Sequence, residues 1–463
     1  MDAEPSSPLP VALLREPARE VSREELLRTI WTLAWPVIVT FLLDSLVGLV
    51  DTLMVGRLGA NAVAAVGVGT QILNSVSVAM TAVGTGTLAL VARFVGAGNR
   101  EAAAKVLGQS VLAAFALSVA CILPVIAFAP VIVGWFGVQP EVRDLGSSFT
   151  RIVMLSIPQS AVLFVIGSAL RAAGDTRTPL WIGAIVNIIN VVGNYVLIFG
   201  KLGLPAMGVR GSALATTMAF TAGTVLGLAL LARGQLVIRL EPWHLRPHLP
   251  TIRRVLAIGY PAAIEQVMMQ VGFFLYLVFA ARYGTSAIAA YFIGVRILAL
   301  SFLPGYGFAA AAAALVGQNL GAQQPHLARR AGWVANRLSV YLMSALGVCI
   351  ILFARPIASA FVADPEVIRD TVWFIWALGL SQPFMAVDFT LGGALRGAGD
   401  TRFPLFAVFV GFYGLRLGCG FLVTYVLGWS LLWLWLALIG DYVARAALKS
   451  WRFASNRWQL VRV

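Results

Sequence analysis

The sequence predicts an all-α membrane protein: twelve transmembrane helices in two six-helix lobes, related by a parallel pseudo-two-fold repeat. Three observations carry this. Of the 463 residues, 59% are apolar and only 12% are charged, too apolar a composition to cover a water-facing surface. The apolar residues fall in twelve runs of about 20 or more, the length that crosses a hydrocarbon core of about 30 Å. Finally, residues 169–180 read ALRAAGDTRTPL and residues 394–405 read ALRGAGDTRFPL, ten of twelve positions identical at a spacing of 225. The same spacing carries Pro36 onto Pro261, Gly59 onto Gly284, Gly69 onto Gly294, Gly96 onto Gly321 and Pro158 onto Pro383, so the whole chain is a duplication.

The expected spans are 33–56, 61–90, 106–135, 148–170, 178–200 and 210–232, then 255–281, 286–316, 331–362, 370–395, 403–427 and 429–447. Six spans return each half to the side on which it began, which makes the repeats parallel. The domains read as a cytoplasmic N-terminal tail with an interfacial helix (1–32), an N-lobe (33–232), a cytoplasmic linker (233–254), a C-lobe (255–447) and a cytoplasmic C-terminal tail (448–463).

A net charge of +14 would suggest nucleic acid if it were clustered on a soluble domain. It is not clustered: with the N-terminus inside, 24 of the 34 Lys and Arg lie on the cytoplasmic side and 8 on the other. That is the positive-inside bias of an inner (plasma) membrane protein with both termini cytoplasmic, and no nucleic-acid partner is expected.

The first 30 residues alternate Arg and Glu and show no short apolar core with a small-residue cleavage site, so no signal peptide is expected. Ser22 followed by Glu25 is a capping-box pattern. Leu26, Leu27, Ile30 and Trp31 then form an apolar stripe leading into the first span.

That span holds Asp44 and Asp51, seven residues apart and so on nearly the same helical face. Counting from residue 33, Asp44 sits about 16 Å in and Asp51 about 27 Å in. A carboxylate facing lipid is costly, so both should face the bundle interior or a water-filled cavity. The fifth span adds Asn187, Asn190 and Asn194. Amides there either join helices or coordinate a ligand, and a carbonyl beside a carboxylate suits both sodium and a hydrogen-bonded, protonatable acid.

The second half lacks this face, because Asp44 falls on Met269 and Asp51 on Tyr276. It carries Glu265, Arg296, Asp388, Arg416 and Asp441 instead. Counting these mid-depth groups together with Asp44 and Asp51, five acids against two bases favour cations in the cavity. Arg296 is expected to pair with Glu265 or Asp388, and Asp441 with Arg445 one turn on. Gln266, Gln270, Tyr276, Tyr291, Phe292, Tyr306 and Phe308 are candidates for lining an aromatic pocket for a bulky organic cation, although ordinary packing is the stronger reading for any single one of them.

Enzyme chemistry finds little support. Cys121, Cys349 and Cys419 are isolated in apolar spans. His244 and His248 flank Pro247, and His326 stands alone. No Walker motif is present and no cofactor is implied, so an ion gradient or the substrate's own gradient must supply the energy unless a separate ATPase subunit does.

Three motifs then point to a family: GLVDTLMVG at 48–56, the doubled LRxxGDTRxP and VGQNLGA at 316–322. With twelve spans in two halves, the chain resembles a multidrug and toxic compound extrusion (MATE) transporter over essentially its whole length. The resemblance implies an antiporter that expels small organic cations in exchange for H+ or Na+ by alternating access. It assigns ion coupling to Asp51, Asn190, Asn194 and Thr216, with sodium held at Asp51, Asn190 and Asn194 if sodium is the ion, and no other metal. Asp44, Glu265, Gln266, Tyr276, Arg296 and Asp388 are the expected cavity residues. Some members have an aspartate where Asn194 stands, and the C-lobe acids of the NorM-like branch fall near Met269 and Met385, which leans the reading toward a DinF-like or unassigned bacterial branch. Membrane lipid is the expected surrounding partner and a monomer the expected state. A flippase for a lipid-linked precursor and a polytopic membrane enzyme are the alternatives; the first would show extra helices or a strongly basic cavity, the second a catalytic cluster at one membrane face.

Overall fold

The computed structural model describes residues 22–461, and among them every regular element is helical. The first half contains α1 (Arg23–Gly56), α2 (Ala60–Ser77), α3 (Met80–Gly96), α4 (Arg100–Ala127), the short α5 (Ala129–Gly134), α6 (Pro140–Ala172), α7 (Arg177–Phe199) and α8 (Gly208–Ala232). The second half contains α9 (Leu249–Ala281), α10 (Thr285–Gly321), α11 (Pro325–Leu352), the short α12 (Ala354–Phe361), α13 (Pro365–Gly397), α14 (Arg402–Val426) and α15 (Leu431–Ala454). Eleven of these are long and apolar enough to cross a membrane, and α2 with α3, bent by 41° at their junction, makes a twelfth crossing.

Local sequence explains the boundaries. Ser22 and Glu25 close the expected capping box, each side chain accepting from the other's backbone N–H at 3.1 and 3.0 Å. Asn99 caps α4 by accepting from Ala102 N at 2.9 Å. The apolar runs expected at 106–135 and 331–362 each end early: α4 stops at Ala127 and α11 at Leu352, with Phe128 and Phe353 leaving helical geometry at matching places. The short helices α5 and α12 take up the rest.

The duplication is visible in packing. Gly69 approaches Phe149 so closely that an added Cβ would lie 2.3 Å from the ring, and Gly294 approaches Phe374 in the same way at 2.4 Å. Both contacts repeat at a spacing of 225. Gly59 and Gly284 open α2 and α10 with φ of 104° and 102°, a conformation open to glycine and strained for other residues.

The chain packs as two compact units. The first comprises the described residues through Ile38 together with Ile264 onward; the second is Val39–Ala263. Thus α1 and α9 each begin in one unit and end in the other. The first unit has a core of Tyr276, Phe374, Phe412, Trp435 and Tyr442, and another in which Leu26, Ile30 and Leu33 pack with Phe308, Leu391, Phe453 and Trp458. The second unit is built on Val55, Ile72, Phe149, Val153, Met154 and Ile198. In the second unit, the stretch after α8 is held down by Gln109 of α4, whose Nε2 donates to the His244 and Arg246 carbonyls and whose Oε1 accepts from His248 N, all at 2.7 Å.

Candidate functional site: a lone carboxylate among amides

The polar centre of the second unit lies where α1, α7 and α8 meet. Asn190 and Asn194 are one turn apart and both buried, and Asp51 across from them is half-buried. Asn194 Nδ2 donates to Asp51 Oδ1 at 2.6 Å. The Asn190 amide has two readings. With its nitrogen toward Asp51 it donates to Oδ1 at 3.0 Å and Oδ2 at 3.1 Å, and its oxygen accepts from Thr216 Oγ1 at 3.1 Å. Reversed, it donates to Thr216 Oγ1 and accepts from Asn194 Nδ2, each at 3.1 Å. The reversed amide turns its oxygen onto the carboxylate, which is tolerable only with a proton or a cation between them.

One acceptor is left over. Asn194 Oδ1 is buried and has no hydrogen-bond partner, a costly state for a carbonyl unless something else satisfies it. Among the described residues, no basic nitrogen comes within 4.0 Å of Asp51. A carboxylate with several neutral oxygens and no basic side chain in contact has the chemistry of a site for a small cation. Asp51, Asn190, Asn194 and Thr216, separated by up to 165 residues in sequence, therefore lie in one cluster. Asp44 stands apart from them, exposed, accepting from Asn187 Nδ2 at 2.9 Å.

Glu265, Asp388 and Asp441 of the first unit differ in kind, because each contacts a base. Glu265 Oε1 contacts Arg396 Nη2 at 2.6 Å. Asp388 contacts Lys449 at 2.5 Å and Arg445 at 3.2 Å. Asp441 contacts Arg445, its expected partner, and also Arg416, both at 2.7 Å. Arg296, expected to pair with Glu265 or Asp388, is exposed and contacts neither. The reason is reach: α15 continues to Ala454 and α13 to Gly397, so Lys449 and Arg396 lie inside helices expected to have ended. The acidic surplus expected across the spans is accordingly absent from this unit. Tyr276 is buried in the core, donating to the Leu434 carbonyl and packed against Tyr291 and Trp435 at 6.2 and 6.0 Å, while Gln266 is exposed.

Two features escaped sequence reading. Arg171, inside the repeated motif, reaches Ser168 Oγ at 3.3 Å; its repeat mate Arg396 has Glu265, but the position 225 residues before Glu265 is Thr40. The other is a cluster of Glu101, Glu241 and His244 with ligand atoms within 4.8 Å of one another. His244 Nδ1 accepts from Glu241 N at 3.1 Å, which places the proton on Nε2, and Nε2 donates to Glu101 at 2.8 Å. With both ring nitrogens engaged, this group does not fit a metal. The three cysteines are free.

Two duplicated six-span halves, with a carboxylate in one of them that touches no base among the described residues, point to a multi-pass membrane transporter. Comparison with known proteins supplies the family. The MatE family model matches residues 36–196 and 261–422, once in each half. A probable multidrug resistance protein NorM from Thermotoga maritima is 30% identical over 94% of this chain and 93% of its own length, and the multidrug resistance protein MdtK of Yersinia enterocolitica is 27% identical over 86% and 87%. Among solved structures, a mutant of the Vibrio cholerae MATE transporter VcmN shares the fold with a TM-score of 0.87 at 20% identity, over 96% of this chain and all of that one. A MOP superfamily transporter from Pyrococcus furiosus gives 0.85 at 20%, over 95% and all of its chain. The chain belongs to the MatE family: it is a MATE transporter and not an enzyme.

Proposed function

We propose that the protein exports small organic cations in exchange for an inward-moving H+ or Na+, and that Asp51 is the group for which the two compete. The observation that carries this is the isolation of Asp51: the buried carboxylates Glu265, Asp388 and Asp441 each hold a base, and Asp44, which also accepts from an amide, is exposed, while half-buried Asp51 holds only amides. The relatives' names, multidrug resistance proteins, agree with a drug-like substrate. On this reading the ionised carboxylate faces the Asn190 nitrogen and holds a cationic substrate from the cytoplasmic side. In the outward-open state an ion takes the carboxylate, the Asn190 amide turns its oxygen inward, Asn194 Oδ1 becomes a ligand or a contact, and the drug is released. Exchange follows because the ion and drug each prefer one state. Glu265, Asp388 and Asp441, already neutralised by fixed bases, take no part in coupling. The protein works as a monomer in the inner (plasma) membrane, embedded in lipid, with both termini cytoplasmic.

The test is efflux of a fluorescent organic cation from proteoliposomes under a pH gradient and, separately, a sodium gradient. Efflux driven by one of them and lost in Asp51→Asn is the expected result. Efflux that is full in the variant, or driven by neither gradient, would sink the proposal.

A further inference from the structure

The duplication places a second copy of the ion-cluster positions in the first unit, and a guanidinium occupies it. At the 225 spacing, Asp51 corresponds to Tyr276 and Thr216 to Asp441, while Asn190 and Asn194 fall on the apolar Leu415 and Cys419; Asn187, one turn before Asn190 and outside the cluster, falls on Phe412. Arg416, next to Leu415 in the chain, touches the two positions that face it from other helices and Phe412 besides: its Nη2 lies 2.7 Å from Asp441 Oδ2, and its guanidinium carbon lies 5.6 Å from the Tyr276 ring centre and 4.4 Å from that of Phe412. Tyr442 at 5.2 Å and Phe273 at 5.8 Å complete the enclosure.

The guanidinium is held as a bound organic cation would be. Arg416 is 0% exposed, and its Nε and Nη1 have no hydrogen-bond acceptor. It makes one carboxylate contact and otherwise faces aromatic rings, a cation–π enclosure rather than a forked arginine–carboxylate pair. The backbone is altered where it enters: Phe409–Leu417 of α14 forms π-helical turns, whereas α7, the corresponding helix of the other half, is α-helical throughout. Wider turns of this kind add a residue to the helix and often mark functional positions. Asp441 does not depend on Arg416 alone, since Arg445 also holds it at 2.7 Å.

We propose that Arg416 is a tethered cation filling the duplicated copy of the ion site. This unit then exchanges no coupling ion, and removing the side chain opens a binding site for a guanidinium-class cation. The inference rests on the reading of the Asp51 cluster as the ion site. It goes beyond that reading by fixing the number of exchangeable ions at one per chain.

The probe is methylguanidinium, with choline and sodium chloride at equal ionic strength as controls. The melting temperature of purified Arg416→Ala is expected to rise with methylguanidinium and saturate, while wild type is unaffected. An equal response in the two proteins, or an equal effect of choline, would overturn the inference. If Arg416→Ala does not yield folded protein, ion stoichiometry on the unaltered chain decides: one sodium bound or one proton released per chain, abolished by Asp51→Asn. Two ions, or one that persists in Asp51→Asn, would also overturn it. Failure of the functional reading is distinguishable, since it appears as full efflux in Asp51→Asn, whereas the methylguanidinium response reports on the Arg416 site alone.

Discussion

Asp51 of α1 accepts a 2.6 Å hydrogen bond from Asn194 of α7, 143 residues away. Two helical turns earlier on both helices the relationship recurs, with Asp44 accepting from Asn187 at the same separation of 143. The two rungs therefore lie about 10 Å apart along one seam. They differ in what surrounds them: the Asp51 rung is enclosed by Asn190 and Thr216, while Asp44 is exposed. In the proposed mechanism that difference gives the ion to Asp51 and leaves Asp44 to face larger solutes.

Asn194 should set ion affinity. Asn194→Leu removes the donor to Asp51 and the unpartnered oxygen together, so the ion concentration for half-maximal efflux should rise by about tenfold, the equivalent of one hydrogen bond to a charged group. Asn194→Asp adds a second carboxylate and should lower the half-saturating sodium concentration. Efflux titrated against sodium and against pH measures both.

Asp44→Asn should spare coupling. Removing an exposed charge near the substrate weakens its attraction modestly, raising KM for a cationic drug by up to about fivefold. The maximal rate and the ion dependence should not move. Initial-rate kinetics across drug concentrations separate these effects.

Gly259 of α9 faces the Ala82 carbonyl of α3 so closely that an added Cβ would lie 1.6 Å from it. Small residues at such crossings let membrane helices approach. Gly259→Ala should cost about 3 kcal/mol or more through overpacking, seen as a lowered melting temperature in detergent. Gly67→Ala, with nothing within 4 Å of the new methyl, should leave it unchanged or slightly higher.

Gln109→Leu should release the segment after α8. It deletes three 2.7 Å bonds to backbone groups of residues 244–248, at a cost of about 1 to 3 kcal/mol for the groups left unpaired. Faster amide exchange there, and faster chymotryptic cleavage after Trp243 and Leu245, are the expected signs.

The architecture was legible because its signals are long: apolar runs as long as a bilayer is thick, and a twelve-residue repeat. The gathering of Asp51 with Asn190, Asn194 and Thr216 was anticipated only through helical spacing and family likeness, since each helix shows one face at a time. What stayed hidden depends on pairings between distant residues. Glu265 and Asp388 looked available because Arg396 and Lys449 sit at helix ends, where a sequence window stops counting. The bend between α2 and α3 has neither proline nor a charge to announce it, since Val78 and Ala79 at the junction are apolar. The bond between His244 and Glu101 spans 143 residues, beyond any local pattern.

The account turns on Asp51 binding either drug or ion but not both. Equilibrium binding of a fluorescent organic cation to purified protein, titrated with sodium and with pH, tests this most directly. The account predicts that one of the two ions displaces the drug competitively and that Asp51→Asn abolishes the effect. Drug binding indifferent to both ions in the wild type, or displaced equally well in Asp51→Asn, would contradict it.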